Sequence, residues 1–165
     1  MKVILAVQPD GRQIGYAVFR GATLVDHGAK SLGFNRPLAQ RLHRISVPFF
    51  RSLVERHNPD MIVLPPPNKM AGTGRNRFLR ALTIELARQP NVVTSFSRRD
   101  IQATFGTLLN MERPSKDVTM QALVKWFPKL LPYLPKPRRA WDSEDYWVPM
   151  FDAVSLAVTY LHHDE

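Results

Sequence analysis

The sequence predicts an α/β layer fold with a mixed five-stranded sheet flanked by helices, on three observations. Three strand-like segments follow one another at the start of the chain. Helix-like and strand-like segments then alternate to its end. No internal repeat and no domain-boundary signal divides the 165 residues, a length that suits one domain, 1–165. A three-strand meander followed by such alternation gives antiparallel neighbours first and parallel neighbours afterwards.

The first strand is Val3 to Val7, an uninterrupted apolar run of the kind that is buried on both faces of a sheet. Pro9-Asp10-Gly11 is turn chemistry, because proline presets φ and glycine tolerates positive φ. The chain returns through Ile14 to Phe19, which leaves Gln8 at the rim of the sheet. A second turn at Arg20-Gly21 leads into a third strand, Ala22 to Leu32. Met61 to Leu64 is a fourth, short and buried, stopped by Pro65-Pro66-Pro67 because proline cannot donate to a ladder. Val92 to Phe96 is the fifth.

Helices fill the intervals. Leu38, Leu42, Ile45, Phe49 and Leu53 recur at steps of three and four, predicting an amphipathic helix from Arg36 to His57 with a kink at Pro48. Asn58-Pro59 ends it. After a loop from Asn68 to Gly74, Arg75 to Gln89 is a helix with Phe78, Leu82 and Leu86 facing inward. Ser97 caps a helix to about Phe105, with Asp100 at its positive end, and Ser115 caps another through Trp126. Four prolines from 128 to 137 make an irregular crossing that carries Lys136, Arg138 and Arg139. Trp141 to Trp147 is an acidic, aromatic loop. Pro149 suits the first turn of a last helix, whose Phe151, Val154, Val158 and Leu161 form an inward stripe.

Charge is unevenly spread. The net charge is +9, yet residues 69–139 carry 14 basic against 4 acidic side chains, and residues 140–165 carry 6 acidic and no basic ones. A basic middle of this kind suits a polyanion such as nucleic acid, bound through phosphate neutralisation; the plain alternative is a solvated surface. The chain has no Cys, so disulfides and thiolate–metal sites are excluded. It shows no signal-peptide pattern and no apolar run of membrane-spanning length. The expectation is an intracellular, cytoplasmic protein without membrane contact.

Residues 2–18 resemble the opening of the RuvC family of Holliday-junction resolvases, within the ribonuclease H-like superfamily. That family opens with an apolar strand, D-P-G and a Gly-Tyr pair; Pro9, Gly15 and Tyr16 match, while Gln8 stands at the catalytic Asp. The likeness continues in order. Pro59 to Leu64 is similar to the family's fourth-strand motif, Val92 to Gly106 to its fifth strand and helix, Lys116 to Val124 to its basic helix, and Asp152 to Ala157 to the start of its last helix. The resemblance implies a ribonuclease H-like fold and a site of four carboxylates holding two divalent ions for phosphodiester cleavage. Those four positions fall on Gln8, Pro65, Pro149 and Asp152, so only Asp152 is an acid. One carboxylate and one amide are a poor set for two Mg²⁺ ions, which demand oxygen ligands and favour anionic ones.

The resemblance therefore implies a DNA-binding relative with a degenerate cleavage site, and no cofactor is expected. The enzyme alternative is a Mg²⁺- or Mn²⁺-dependent endodeoxyribonuclease whose site is rebuilt from nearby acids, Asp10 beyond Gln8 and Asp142, Glu144 and Asp145 ahead of the last helix, with Asp10 and Asp145 the possible substitutes. The simpler readings are a turn residue for Asp10 and a carboxylate favoured by the helix dipole for Asp152. Candidate phosphate contacts are Lys69, Arg75, Arg77, Arg80, Arg98, Arg99, Arg113, Lys116 and Lys125, each of which singly reads as solvated charge. Phe105 and the three tryptophans could stack on bases, although the spacing of Trp126 with Val118 and Ala122 reads as core. His43, His57, His162 and His163 read as surface residues. The partner expected is branched or duplex DNA. The resemblance also implies a homodimer, for which the helix around Phe49 and Phe50 offers either a face or more of its own core. A protein-interaction module that uses the acidic tail is the third reading.

Overall fold

A computed structural model describes residues 1–33, 35–67, 74–136 and 145–164, with the backbone alone at 74–76. Five strands form one sheet: β1 (Val3–Pro9), β2 (Gln13–Arg20), β3 (Thr23–Ser31), β4 (Met61–Leu64) and β5 (Val92–Ser95). Their order is β3-β2-β1-β4-β5. The meander is antiparallel, with Gln8 opposite Gly15, and β1–β4 and β4–β5 are parallel. Asp60 fixes the entry to β4: its N–H donates to the Val3 carbonyl (2.8 Å) and its carboxylate accepts from the Val3 N–H (2.7 Å).

Side chains alternate across the strands, so β1, β2 and β4 each feed two cores. Ile4, Ala6, Ala17, Phe19 and Val63 face one layer of helices. Leu5, Val7, Ile14, Val18, Ile62 and Leu64 face the other. The second layer holds α1 (Val47–His57) and α2 (Gly74–Ala87), with Phe50, Leu53, Phe78, Leu82 and Leu86 all buried. The first holds α3 (Arg98–Leu109), α4 (Lys116–Trp126) and α5 (Val148–His163).

Several expectations are corrected. In the helix predicted from Arg36, Pro48 sits in the first turn of α1, where its missing N–H costs nothing. The irregularity precedes it, as a π-helical stretch Gln40–Ser46 in which Ser46 Oγ donates to the Arg41 carbonyl (2.5 Å). Leu38 is exposed, while Phe50 is fully buried and Phe49 packs edge-on against Tyr16, so this helix spends its apolar face on its own core. α3 runs four residues past Phe105, to a left-handed Asn110. The proline-rich crossing contains a 3₁₀ turn, Pro128–Tyr133, and of Lys136, Arg138 and Arg139 only Lys136 is described. No described helix is long and apolar enough to cross a membrane.

α5 is buried almost all round. Between Val148 and Tyr160, Asp152 is the one residue that is not buried, so the inward stripe expected is too narrow a description. Leu161 lies at its edge, half-buried.

Candidate nucleic-acid interface

β1, β4 and β5 run parallel, and their carboxyl ends meet the first turns of α3 and α4. In open α/β sheets this is the end where ligands are bound. A cleft of about 270 Å³ lies there. Gln8 from the end of β1, Pro65 just past β4 and Phe96 just past β5 line it, with Arg98, Gln102, Lys116, Thr119, Asp152 and Ser155 from the helices.

Local sequence explains the placement. Ser97 and Asp100 form a reciprocal cap at the start of α3: Ser97 Oγ accepts from the Asp100 N–H (3.2 Å), and the Asp100 carboxylate accepts from the Ser97 N–H (2.8 Å). Those hydrogen bonds hold the Asp100 carboxyl below the usual range, the backbone bond from Ser97 foremost. Arg98 is thereby the first residue of its helix. Ser115 Oγ accepts from the Val118 N–H (3.2 Å), which makes Lys116 the first residue of α4. Asp152 lies one turn into α5. Lys116 Nζ donates to Asp152 Oδ2 across 3.3 Å, both side chains being about three-tenths exposed.

The structure brings together three of the four positions carried over from the resemblance: Gln8, Pro65 and Asp152 share the cleft. The fourth, Pro149, is buried in the first turn of α5 against β2, where a Cβ on Gly15 would lie 2.1 Å from its carbonyl carbon. Asp10 and Asp145 are not among the cleft residues. Asp10 Oδ1 accepts from the Arg12 N–H (3.1 Å) within the β1–β2 turn, and Asp145 Oδ1 accepts from the Trp147 N–H (2.9 Å) ahead of α5.

Among the basic candidates, Arg98, Arg99 and Arg113 surround an adjoining hollow of about 510 Å³, which also takes in Glu112 and shares Arg98 and Gln102 with the cleft. Lys116 is in the cleft itself. Arg77 and Arg80 are exposed near the start of α2, in the other helical layer, and Lys125 is exposed near the far end of α4. Lys69, the Arg75 side chain, Trp141, Asp142 and Glu144 lie outside the described residues.

Phe105 is fully buried and unavailable for base stacking, whereas Trp126 is 41% exposed and stacks on Phe105 at 5.9 Å. The two assignments are exchanged, because the spacing shared by Trp126, Val118 and Ala122 does not say which helical face meets the core. Trp147 is half-buried in a ring cluster with Tyr133 and Tyr146. His57 and His163 are not simple surface residues. His57 Nε2 is 2.8 Å from Asp26, which also accepts from the Tyr16 hydroxyl, and His163 stacks on Phe96. Burial and, second, the Asp26 charge push the Tyr16 phenol up to about 12.

Gln102, Thr119 and Ser155 are cleft residues that the sequence reading missed. They stand four, three and three places after Arg98, Lys116 and Asp152, which is same-face helical spacing. Both hydroxyls donate to carbonyls within their own helices, Thr119 to Ser115 (3.0 Å) and Ser155 to Phe151 (3.0 Å).

A pair of divalent cations, which the resemblance would imply, does not fit the described side chains. The described cleft residues offer one carboxylate, already bonded to an ammonium, and two carboxamides. Among the described residues, no group of three or more His, Asp or Glu side chains is placed to hold a metal.

Sheet order, strand directions and the position of the last helix define a ribonuclease H-like fold. The same fold is found in solved structures of Holliday-junction resolvases. The chain superposes on Thermus thermophilus RuvC in complex with Holliday junction substrate with a TM-score of 0.68 at 13% identity, over 99% of this chain and 95% of that one. The yeast mitochondrial Holliday junction resolvase Ydc2 gives 0.65 at 15% identity, over 98% and 78%. Fowlpox virus resolvase with its Holliday junction DNA gives 0.51 at 13%, over 98% and 97%. At such identities the likeness establishes the fold. No protein-family model matches the sequence, and no curated protein matches it significantly.

Proposed function

We propose that this chain is a RuvC-like nucleic-acid-binding protein that engages branched or duplex DNA through the cleft and the adjoining arginine hollow, with the family's metal-dependent cleavage lost. The observation that carries the reading is the company Asp152 keeps. Gln8 and Pro65 share its cleft, and its carboxylate is bonded to the Lys116 ammonium. A live two-metal phosphodiesterase would need several anionic oxygens at that place. Arg98, Arg99 and Arg113 supply a phosphate-facing surface that fixes register on a nucleic-acid backbone without reading sequence. Neighbours of the same fold solved in complex with Holliday junctions support the choice of branched DNA.

The test is a four-way junction and a matched linear duplex, offered with EDTA, Mg²⁺ or Mn²⁺. Retention that weakens with salt, preference for the junction and intact strands are expected. Strand scission that Asp152→Asn abolishes would establish an active endonuclease instead.

A further inference from the structure

Lys116 and Asp152 point beyond mere loss of metal binding. Among the described residues of the cleft, two cations, Arg98 and Lys116, face one carboxylate, with the Gln8 and Gln102 carboxamides beside them. Hard divalent cations are disfavoured by such a set, and a phosphate oxygen is favoured by it. We propose that the cleft seats a backbone phosphodiester directly, with Lys116 and Arg98 taking the place of divalent cations, and that Asp152 restrains this binding by holding Lys116. The proposal rests on the DNA-binding reading above and adds to it a particular site, a ligand group and a sign for Asp152.

The geometry fits one phosphate group rather than a stretch of duplex. About 270 Å³ admits a phosphate with its flanking oxygens but not a base pair. Arg98 and Lys116 each open a helix, so each cation is carried at a positive helix end, and both positions are set by the Ser97 and Ser115 caps. Arg98 also borders the hollow of Arg99 and Arg113, so a backbone leaving the cleft passes directly to further guanidiniums. The 3.3 Å contact of Lys116 with Asp152 is long for a charge-assisted hydrogen bond and about three-tenths open to solvent, so an incoming phosphate can compete for the ammonium.

The sign of Asp152 separates this reading from a metal site. For a carboxylate that holds a cation needed for binding, removal weakens the complex. For a carboxylate that competes with phosphate for Lys116, removal strengthens it. The experiment measures four-way-junction affinity by fluorescence anisotropy across a salt series, in EDTA and in Mg²⁺ at matched ionic strength. Wild type is compared with Asp152→Asn, Lys116→Gln and Arg98→Gln, with Arg88→Gln at the far end of α2 as a control; a thermal melt shows that each variant is folded. Without metal, Asp152→Asn is expected to bind several-fold tighter. Lys116→Gln and Arg98→Gln are each expected to bind roughly tenfold weaker, the worth of one charge-assisted phosphate contact. Lys116→Gln should also flatten the salt slope by about 0.9, one released counterion. Tighter binding by Asp152→Asn together with weaker binding by Lys116→Gln supports the proposal. It is overturned if Asp152→Asn weakens binding, if wild type binds only with Mg²⁺, or if Lys116→Gln matches Arg88→Gln. No junction binding by wild type under any condition would instead sink the DNA-binding reading on which the proposal rests.

Discussion

Gly15→Ala tests the packing on which the cleft depends. Gly15 sits opposite Gln8 in the β1–β2 ladder, and its Cα faces the first turn of α5. Its backbone has no positive φ to justify glycine; the requirement is room. A methyl there would lie 2.1 Å from the Pro149 carbonyl carbon, 2.2 Å from its oxygen and 2.3 Å from the Met150 nitrogen. Non-bonded carbon atoms rest about 3.5 Å apart or more, so α5 and β2 must separate by roughly 1.4 Å. All three obstructing atoms are backbone, so no rotamer change relieves the overlap. Overpacking that side chains can partly absorb costs about 1–3 kcal/mol, and a rigid obstruction belongs at about 3 kcal/mol or above. For a domain of this size that lowers Tm by about 6–12 °C. Thermal melting by circular dichroism and the urea midpoint measure it. Gly28→Ala is the comparison: its methyl would meet the Tyr16 ring at 3.0 Å, a side chain that can give, for about 1 kcal/mol. A Gly15→Ala protein that melts within about 2 °C of wild type would refute the seating of α5 on β2, and with it the location of Asp152.

Three further outcomes follow from the packing and electrostatics. Ser97→Ala removes the cap of α3 and should cost about 1 kcal/mol, seen as a lower urea midpoint. Because Asp100 is held below its ordinary range in the folded protein, its share of the cap is present above the unfolded-state pKa and is lost as pH falls through the folded one; the Ser97→Ala difference should therefore shrink in acid. Phe105→Ala should cost about 3–5 kcal/mol, whereas Trp126→Ala, stacked but exposed, should cost much less; equal losses would contradict the placement of α4. Burial first, and the Lys129 ammonium second, hold the His27 imidazole below its ordinary value. The unfolded chain then takes up the proton before the folded one, so urea midpoints should fall as pH drops through about 6.5, and less steeply in His27→Gln.

What could be read in advance was whatever depends on local rules. The apolar run from Val3, the Asn58-Pro59 stop, the Ser97 and Ser115 caps and Pro149 in a first turn are decided within a few residues, and the structure places each as expected. Three of the four positions matched to the resolvase site also come together, because strand ends and helix starts carry them there. Decisions taken between elements were not legible. Trp126 and Phe105 have similar apolar spacing, and only the docking of α3 and α4 settles which is buried. The Lys116–Asp152 pair spans 36 positions, and the Tyr16–Asp26–His57 cluster joins two strands to the end of α1. Neither leaves a mark in local sequence.

The two halves of the cleft answer to different constraints, and that difference would let the fold persist if, as proposed, its cleavage chemistry is lost. Gly15, the caps and the alternating faces of β1 and β4 are held by steric and hydrophobic terms, so changing them displaces backbone. Gln8, Pro65, Lys116 and Asp152 sit where the packing ends, at strand termini and in the first turns of helices, and none of them is fully buried. Carboxylates crowded at such a place repel one another and raise the cost of folding unless cations offset them. Exchanging them for a carboxamide, a proline ring and a Lys–Asp pair removes that repulsion while leaving both hydrophobic cores untouched. On the proposed reading the scaffold would tolerate such an exchange, and what would change is the sign of the ligand that the cleft favours. Putting acids back tests that separation of roles: Gln8→Asp with Pro65→Glu should fold with little loss and gain Mn²⁺ affinity by calorimetry, most clearly when combined with Lys116→Gln. A gain in metal affinity without Lys116→Gln that equals the gain with it would mean that the ammonium has no part in keeping cations out.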